Sequence, residues 1–264
     1  MDLALSISIG LIAGVLSGMF GIGGSIITTP FMRIVLGVEG HIAVGTPLPI
    51  VIPTAISGVI AYHKKGMIRT REGLVCGAAG SFTGVIGAWL TQFFSGSAMM
   101  IITAIFIMLM AGRFALESRN GSGADQKDKN KKDGSRRVKT IWPRVVLTGI
   151  MAGFVSGFLG IGGGAILVPA LVIVCGFGMH EAVATSLLAI SIMAIPGSIE
   201  HYLIGNIDVS LLIPIAISAI IGAQIGARFS ARTQEKRLRA AFTIFLVAIA
   251  LYLGISELLG SWNF

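Results

Sequence analysis

The chain has 264 residues, of which 54% are hydrophobic and only 12% are charged, and its mean hydropathy is +0.88. Soluble proteins carry about a quarter charged residues, so this composition excludes a water-soluble fold and indicates a membrane protein. The net charge of +8 does not indicate nucleic-acid binding, because 19 of the 20 basic residues fall in the three segments 64–71, 113–144 and 228–239. Basic residues confined between apolar stretches are a topology signal.

The apolar stretches predict an all-α polytopic protein. The first element is interrupted, with halves at 3–20 and 25–37 that are each too short to be a comfortable membrane span. The span after it contains three prolines and is predicted to begin with a kink. The predicted spans of the first part are 42–62, 73–94 and 98–116. The second part repeats the order, with an interrupted element at 143–176 and spans at 181–200, 208–229 and 240–258.

A polar segment divides these two parts. Residues 117–140 contain almost no apolar side chain and cannot bury a core. We therefore expect a first transmembrane repeat at 1–116, a flexible charged cytoplasmic linker at 117–142 and a second transmembrane repeat at 143–264.

The two repeats share a glycine-rich motif. The stretch from Gly10 to Gly37 is written again from Gly149 to Gly176, and when the two stretches are aligned without a gap, 14 of the 28 positions are identical. Each copy is apolar but is interrupted by GxGG, and glycine costs about 1 kcal/mol relative to alanine inside a helix. Each copy is therefore predicted to fold as two helical halves that meet at a glycine turn.

A histidine and a threonine follow each glycine-rich motif in the pattern H-x-A-x-x-T, at His41 to Thr46 and at His180 to Thr185. Together with the paired GxGG…P segments, these patterns resemble the sulfite exporter TauE/SafE family of bacterial membrane permeases. The resemblance covers essentially the whole chain except the polar segment. It implies a multi-pass protein of the inner cell membrane that moves sulfite, or a sulfonate such as sulfoacetate, usually out of the cell.

Charge distribution separates two topologies. If each interrupted element crossed the membrane once, each half would make four crossings, the halves would be parallel, and the basic segments 64–71 and 228–239 would lie on opposite faces. If each interrupted element returns to the side from which it entered, the halves are inverted and 19 of the 20 basic residues lie on the cytoplasmic side. We prefer inverted repeats, each a glycine-interrupted helical hairpin plus three spans.

The glycine turns are the candidate binding site. A helix that begins at such a turn offers free backbone N–H groups and the positive end of its dipole, which would bind an anion without a lysine inside the bilayer. The alternative is that the glycines only allow close helix packing. The two halves are not expected to contribute equally, because the first has Ser25 for Gly164 and Pro47 for Ser186. The candidate substrate-binding residues are Gly21, Gly23, Gly24, Ser25, Thr46, Gly160, Gly162, Gly163, Gly164, Thr185 and Ser186.

Four more residues are candidates for coupling or gating. Arg33 is the one basic residue outside the three basic segments, and it either attracts an anion or snorkels to lipid headgroups. His41 and His180 match in register and suit a capping role at the next span, with substrate or proton contact as the alternative. Glu200, close to a span end, is either a proton-coupling carboxylate or a solvated interfacial one.

The function that these patterns favour is secondary transport of a small anion by alternating access. Another small organic acid or solute, and a passive anion channel, stay open as alternatives. The sequence contains no GxSxG, HExxH or Walker motif and no metal-ligand spacing, so neither an enzyme nor a cofactor or metal is expected. The expected partners are the anion and the lipid bilayer, and protons as the coupling ion and a homodimer both stay open.

Overall fold

The computed structural model describes residues 3–90, 93–94, 141–159 and 163–258, with six single positions at 102, 105, 108, 109, 112 and 116. The predicted span at 98–116, apart from those positions, and the linker at 117–140 lie outside the described residues. The first half forms α1 (Leu3–Phe20), α2 (Ser25–Ile34), α3 (Gly40–Gly45), α4 (Pro47–His63) and α5 (Thr70–Leu90). The second half forms α6 (Trp142–Leu159), α7 (Gly164–Ile173), α8 (Met179–Leu203), α9 (Val209–Ser230) and α10 (Glu235–Leu258).

Five segments of the described chain are long and apolar enough to cross a membrane, which confirms the polytopic all-α class. They are Leu3–Phe20, His41–His63, Thr70–Leu90, Met179–Leu203 and Val209–Ser230. The first of them, α1, differs from the prediction, which made residues 3–20 one half of the interrupted element and too short to be a comfortable membrane span. Its 18 residues rise about 27 Å, close to the thickness of a bilayer core.

The proline-rich span is divided into two helices near its start, although Thr46 between them keeps helical dihedral angles, with φ of −61° and ψ of −36°. α3 ends at Gly45, Thr46 stands between the helices, and α4 begins at Pro47. Proline at the first position of a helix loses no hydrogen bond, because that N–H has no partner within the helix. The break therefore places the Thr46 side chain at a helix boundary.

The two halves exchange contacts along rows of small residues. On α1, the glycines Gly10, Gly14 and Gly18 lie against Ile215, Ala219 and Ala223 of α9, so closely that a Cβ on any of them would meet backbone. On α6, the equivalent row Gly149, Gly153 and Gly157 lies against Cys76, Gly80 and Gly84 of α5. In both rows the residue numbers of the two helices increase in the same direction, so each pair of helices is parallel. Each pair joins one half of the chain to the other.

The equivalent helices α4 and α8 run in opposite directions. Gly58 of α4 contacts Leu187 of α8, whereas Leu48, near the start of α4, contacts Gly197, near the end of α8. α8 also packs against α5 and α7 and contributes many of the most deeply buried side chains. It is therefore the central helix of the bundle, and its first two turns lie beside the glycine turn of the first half.

Candidate functional site

The first glycine turn adopts the backbone conformation that glycine permits. Gly21, Gly23 and Gly24 have φ of 73°, 79° and 89°, a region in which side chains with a Cβ are strained. α2 begins at Ser25, and the first helical bonds run from the N–H groups of Ile27 and Thr28 to the carbonyl of Gly24, at 3.0 Å each. The N–H groups at the very start of α2 are thus left without a partner inside the helix.

The second turn repeats this geometry. Gly163 has φ of 69°, α7 begins at Gly164, and the N–H groups of Ile166 and Leu167 donate to the carbonyl of Gly163 at 3.2 and 2.9 Å. The predicted site residues Gly160 and Gly162 lie outside the described residues. In the described part of both turns, a left-handed glycine directly precedes a ten-residue helix.

The two turns touch each other in the interior of the bundle. A Cβ built on Gly164 would overlap the backbone of Gly21 and Ile22. All of residues 21–30 are buried, as are Gly163 and Gly164. The start of α7 therefore lies against the turn that leads into α2, and both helix starts, with the positive ends of their dipoles, are away from solvent.

Ser186 ties the second half to the first turn. Its hydroxyl donates to the carbonyl of Gly21 at 2.9 Å and shares the proton with the carbonyl of Val183 at 2.8 Å. The bond satisfies the Gly21 carbonyl, while the N–H groups at the start of α2 stay available as donors. An arrangement of free donors suits a negatively charged ligand.

Three buried hydroxyl groups near the first turn have no hydrogen-bond partner among the described residues. They belong to Ser17, Ser25 and Thr29. Ser25 and Thr29 are four residues apart on α2 and share one face, whereas Ser17 lies one helical turn before Gly21. Buried polar groups normally find a partner, so three orphans at one helix start call for an explanation. The second copy has Ser156, Gly164 and Val168 at the matching positions, so two of the hydroxyl groups occur only in the first half.

Ser17 and Thr29 were missed by sequence reasoning. The available signal was the spacing of Ser25 and Thr29, which places both on the same helix face. Thr28, their neighbour, is different because its hydroxyl donates back to the carbonyl of Gly24 at 3.2 Å.

Thr46 and Thr185 hold equivalent loops at opposite ends of the bundle. Thr185 Oγ1 accepts from the backbone N–H of Arg69 at 3.2 Å, and Thr46 Oγ1 accepts from that of Asp208 at 3.0 Å. The alignment of the two halves converts one pair into the other, since Thr46 matches Thr185 and Arg69 matches Asp208. The structure thus places the two threonines at loop contacts, away from each other.

The Arg69 end of the bundle carries more interactions than the Asp208 end. The Arg69 guanidinium donates to Glu181 Oε2 at 3.1 Å, lies 3.8 Å from Glu72 Oε1 and stacks over the ring of Phe177 at 4.3 Å. Asp208 instead caps α9, and its hydrogen bond from the Ser210 hydroxyl, with those from backbone N–H groups of α9, holds the pKa of this carboxyl below its usual value. Sequence patterns did not single out Arg69 or Glu181.

The candidate coupling residues are spread over the bundle rather than gathered at the turns. His180 Nε2 lies 3.1 Å from the carbonyl of Ser230 and 3.0 Å from that of Thr233, so it caps the end of α9 and not the start of α8. His41 is exposed at the start of α3, and Glu200 is half-buried in the last turn of α8. Arg33 is half-buried in the last turn of α2.

Within the part of the chain that the structure describes, no group of three or more His, Cys, Asp or Glu side chains could hold a metal ion. Cys76 and Cys175 are free thiols, and burial is the main cause of the raised pKa of Cys175. The donors described at the two turns are backbone N–H groups and hydroxyls.

Known proteins that this chain resembles are described as membrane transport proteins. A family model described as "Sulfite exporter TauE/SafE" matches residues 6–253. The chain is 27% identical to "Probable membrane transporter protein YunE" of Bacillus subtilis, over 94% of this chain and 96% of the relative. It is 26% identical to a "Probable membrane transporter protein" of Xylella fastidiosa, over 95% and 94%. A probable membrane transporter protein of Methanocaldococcus jannaschii is also 26% identical, over 95% of both chains.

The names of these relatives state membrane transport and specify no substrate. No solved structure matches the chain.

Proposed function

The chain belongs to the sulfite exporter TauE/SafE family, and from that premise we propose that it is a secondary transporter that binds a small oxyanion where α2 and α7 begin. The observation that carries this proposal is the contact between the two glycine turns, which brings two helix N-termini together in a buried place. Each helix N-terminus stabilises a nearby anion by about 0.3–1 kcal/mol at exposed sites and by up to about 2 kcal/mol when partly buried. Two such ends bind an anion without a buried lysine or arginine.

Sulfite and organosulfonates such as sulfoacetate suit these donors. Both present three oxygen atoms on one sulfur, and each oxygen accepts hydrogen bonds from hydroxyl or backbone N–H groups. The three orphaned hydroxyls of Ser17, Ser25 and Thr29 would donate to such oxygens from the first half. The family description names sulfite, and export is the direction that it suggests.

The fold supports alternating access between inverted halves. The equivalent helices α4 and α8 are antiparallel, as an inverted duplication requires, and α1 runs parallel to α9 from the other half. With α4 and α9 both ending in the cytoplasm, 64–71 and 228–239 lie on the same side, in agreement with the excess of basic residues there. Rocking of one set of helices against the other around the fixed turns would expose the site to each side in turn.

The two threonine contacts are suited to act as the gates. Thr185 and Arg69 join the starts of α8 and α5 on the cytoplasmic side, and Thr46 and Asp208 join the starts of α4 and α9 on the outer side. Opening one gate while the other stays closed gives access from a single side. The turns are buried in this structure, which corresponds to a state in which both gates are closed.

Flux into proteoliposomes tests this function. The purified full chain would be assayed with sulfite, sulfate, thiosulfate, sulfoacetate and acetate, each with and without a pH gradient. Saturable flux of sulfite or sulfoacetate supports the proposal, and its dependence on the gradient reports proton coupling. Saturable flux of acetate alone would assign the scaffold to organic acids. Flux that never saturates, with single-channel currents, would identify a passive channel.

A further inference from the structure

A basic pocket of about 230 Å³ lies at the end of the bundle where α4 and α9 finish. Four cationic side chains line it, two from the end of α4 and two from the end of α9: Lys64, Lys65, Arg228 and Arg232. Its other lining residues are Ile60, Ala61 and Gln224. The two helices are parallel, because Gln224 Nε2 donates to the carbonyl of Ser57 at 3.0 Å near this end while Asp208 meets Thr46 at the other.

These four cations are not neutralised by the described part of the protein. No ion pair joins any of these four side chains to a described acidic residue, and no acidic side chain lines the pocket. All four side chains are exposed, so water and salt weaken their mutual repulsion. Their convergence on one cavity nevertheless creates a positive potential that attracts an anion. The pocket therefore fits a ligand with a compact negative charge.

The apolar surface beside the pocket indicates what carries that charge. Ile56 and Ile60 precede Lys64 at intervals of four residues on α4, and Ile217 and Ile221 precede Gln224 and Arg228 on the matching face of α9. All four isoleucines are roughly half exposed, from 46% to 58%. The cationic pocket thus caps an apolar strip that would face lipid chains, and this pairing of charge and apolar surface matches a phospholipid rather than a free ion.

The duplicated fold supplies an internal comparison. The alignment of the two halves carries the pocket to the opposite end of the bundle, where α8 ends beside α5. There the four cationic positions are occupied by Leu203, Ile204, Trp89 and Phe93, the last two in ring contact at 5.0 Å. Because the same helix pairing is formed with apolar and aromatic side chains, the four cations are not needed for packing. They are a feature of one end only.

We propose that Lys64, Lys65, Arg228 and Arg232 form a binding site for the phosphate headgroup of an anionic phospholipid, whose acyl chains lie along the isoleucines of α4 and α9. Basic pockets between membrane helices on the cytoplasmic side recognise such headgroups. The site is separate from the glycine turns and does not depend on the identity of the transported anion. Occupation of the pocket would hold the ends of α4 and α9 together.

Native mass spectrometry of the full chain in a neutral detergent tests the site. The probes are dioleoyl phosphatidylglycerol, dioleoyl phosphatidylcholine and free glycerol 3-phosphate. The test variant replaces all four residues by glutamine, K64Q/K65Q/R228Q/R232Q. The matched control, K127Q/K129Q/K131Q/K132Q, removes the same charge from the polar segment between the halves.

We expect the wild type to bind phosphatidylglycerol more tightly than phosphatidylcholine, and the test variant to lose about tenfold or more of that affinity. The control variant should bind within about twofold of the wild type, and so should K64R/K65R, which keeps the charge of the pocket. Monodisperse gel filtration verifies that each variant is folded.

Three results would overturn the proposal. Unchanged phosphatidylglycerol binding by the test variant would remove the pocket as the site. An equal loss in the control variant would show a general effect of charge. Binding of glycerol 3-phosphate as tight as that of the lipid would assign the pocket to soluble phosphate esters.

Discussion

The hydroxyl of Ser186 donates to the carbonyl of Gly21 at 2.9 Å, and this bond joins α8 of the second half to the glycine turn of the first. The equivalent of Ser186 in the other copy is Pro47, which has no hydroxyl group. The bond therefore has no symmetric counterpart, and the two turns are held differently.

Ser186→Ala should destabilise the protein by about 1–2 kcal/mol, because the buried Gly21 carbonyl loses its hydroxyl donor. Transport should fall as well, since the turn is no longer fixed relative to α8. Thermal inactivation in detergent and flux in proteoliposomes measure the two effects. Ser191→Ala is the control, because the Ser191 hydroxyl bonds only to its own helix, at the carbonyl of Leu188. Equal effects in both variants would contradict the special role of the Ser186 bond.

The orphaned hydroxyls give a prediction in which stability and transport change in opposite directions. Ser25→Ala and Thr29→Val remove buried groups that bond to no atom in the described part of the chain, so stability should stay the same or increase. If these groups bind the anion, the apparent KM should rise, by roughly tenfold for a lost interaction of about 1.4 kcal/mol.

Thr54→Val is the matched control for these two variants. The Thr54 hydroxyl is buried but bonds to the carbonyl of Ile50 in its own helix, at 2.7 Å. An unchanged KM in Ser25→Ala and Thr29→Val would place the anion away from α2.

Local chemistry made the helices and the glycine turns predictable. The turn requires positive φ at Gly21, Gly23 and Gly24, which glycine adopts without strain. The second copy of the motif has glycine at the matching positions, so the same kind of turn was predicted there. Pro47 predicted the division between α3 and α4, because proline also restricts its own backbone. Such features depend only on neighbours in the chain.

Other parts of the site depend on which residues the fold brings together. Arg69 and Glu181 are 112 residues apart, and no pattern near either residue in the chain predicts their pairing. The lack of partners at Ser17 and Thr29 is also a tertiary property, since serine and threonine usually bond to their own helix. The same holds for α1, whose glycine row proved to be its contact with α9.

The contact between α5 and α6 predicts an asymmetric response to two similar substitutions. Gly157→Ala should cost about 1–3 kcal/mol, because its methyl group would collide with the backbone of Gly84. Gly84→Ala should cost little, because a Cβ there lies 3.4 Å from the nearest atom, the carbonyl oxygen of Gly153. The chain already has alanine at the matching position, Ala223. Thermal inactivation of the two variants checks the order, and a larger loss for Gly84→Ala would contradict this packing.

The ion pair between Arg69 and Glu181 predicts a change in gating with little change in stability. Both side chains are partly exposed, at 15% and 31%, so the pair should contribute about 1 kcal/mol or less. Glu181→Gln should nevertheless favour opening of the cytoplasmic side and alter the rate of transport. Arg69→Glu combined with Glu181→Arg should restore part of the wild-type rate, and Arg71→Gln, an exposed neighbour, is the control. Failure of the reversed pair to recover any rate would argue against the ion pair as part of the gate.

The orientation of the two halves can be tested with cysteines in a background in which Cys76 and Cys175 are replaced. The Asn206→Cys variant, with its change between α8 and α9, should react with an impermeant maleimide from outside the cell. The reason is that α4 and α8 are antiparallel, so the end of α8 lies opposite the end of α4. The Lys65→Cys variant, with its change at an exposed position after α4, should react only when the cytoplasmic side is made accessible. In a parallel arrangement the halves would carry their equivalent loops on the same side of the membrane. Labelling of both cysteines from one side would therefore exclude inverted repeats.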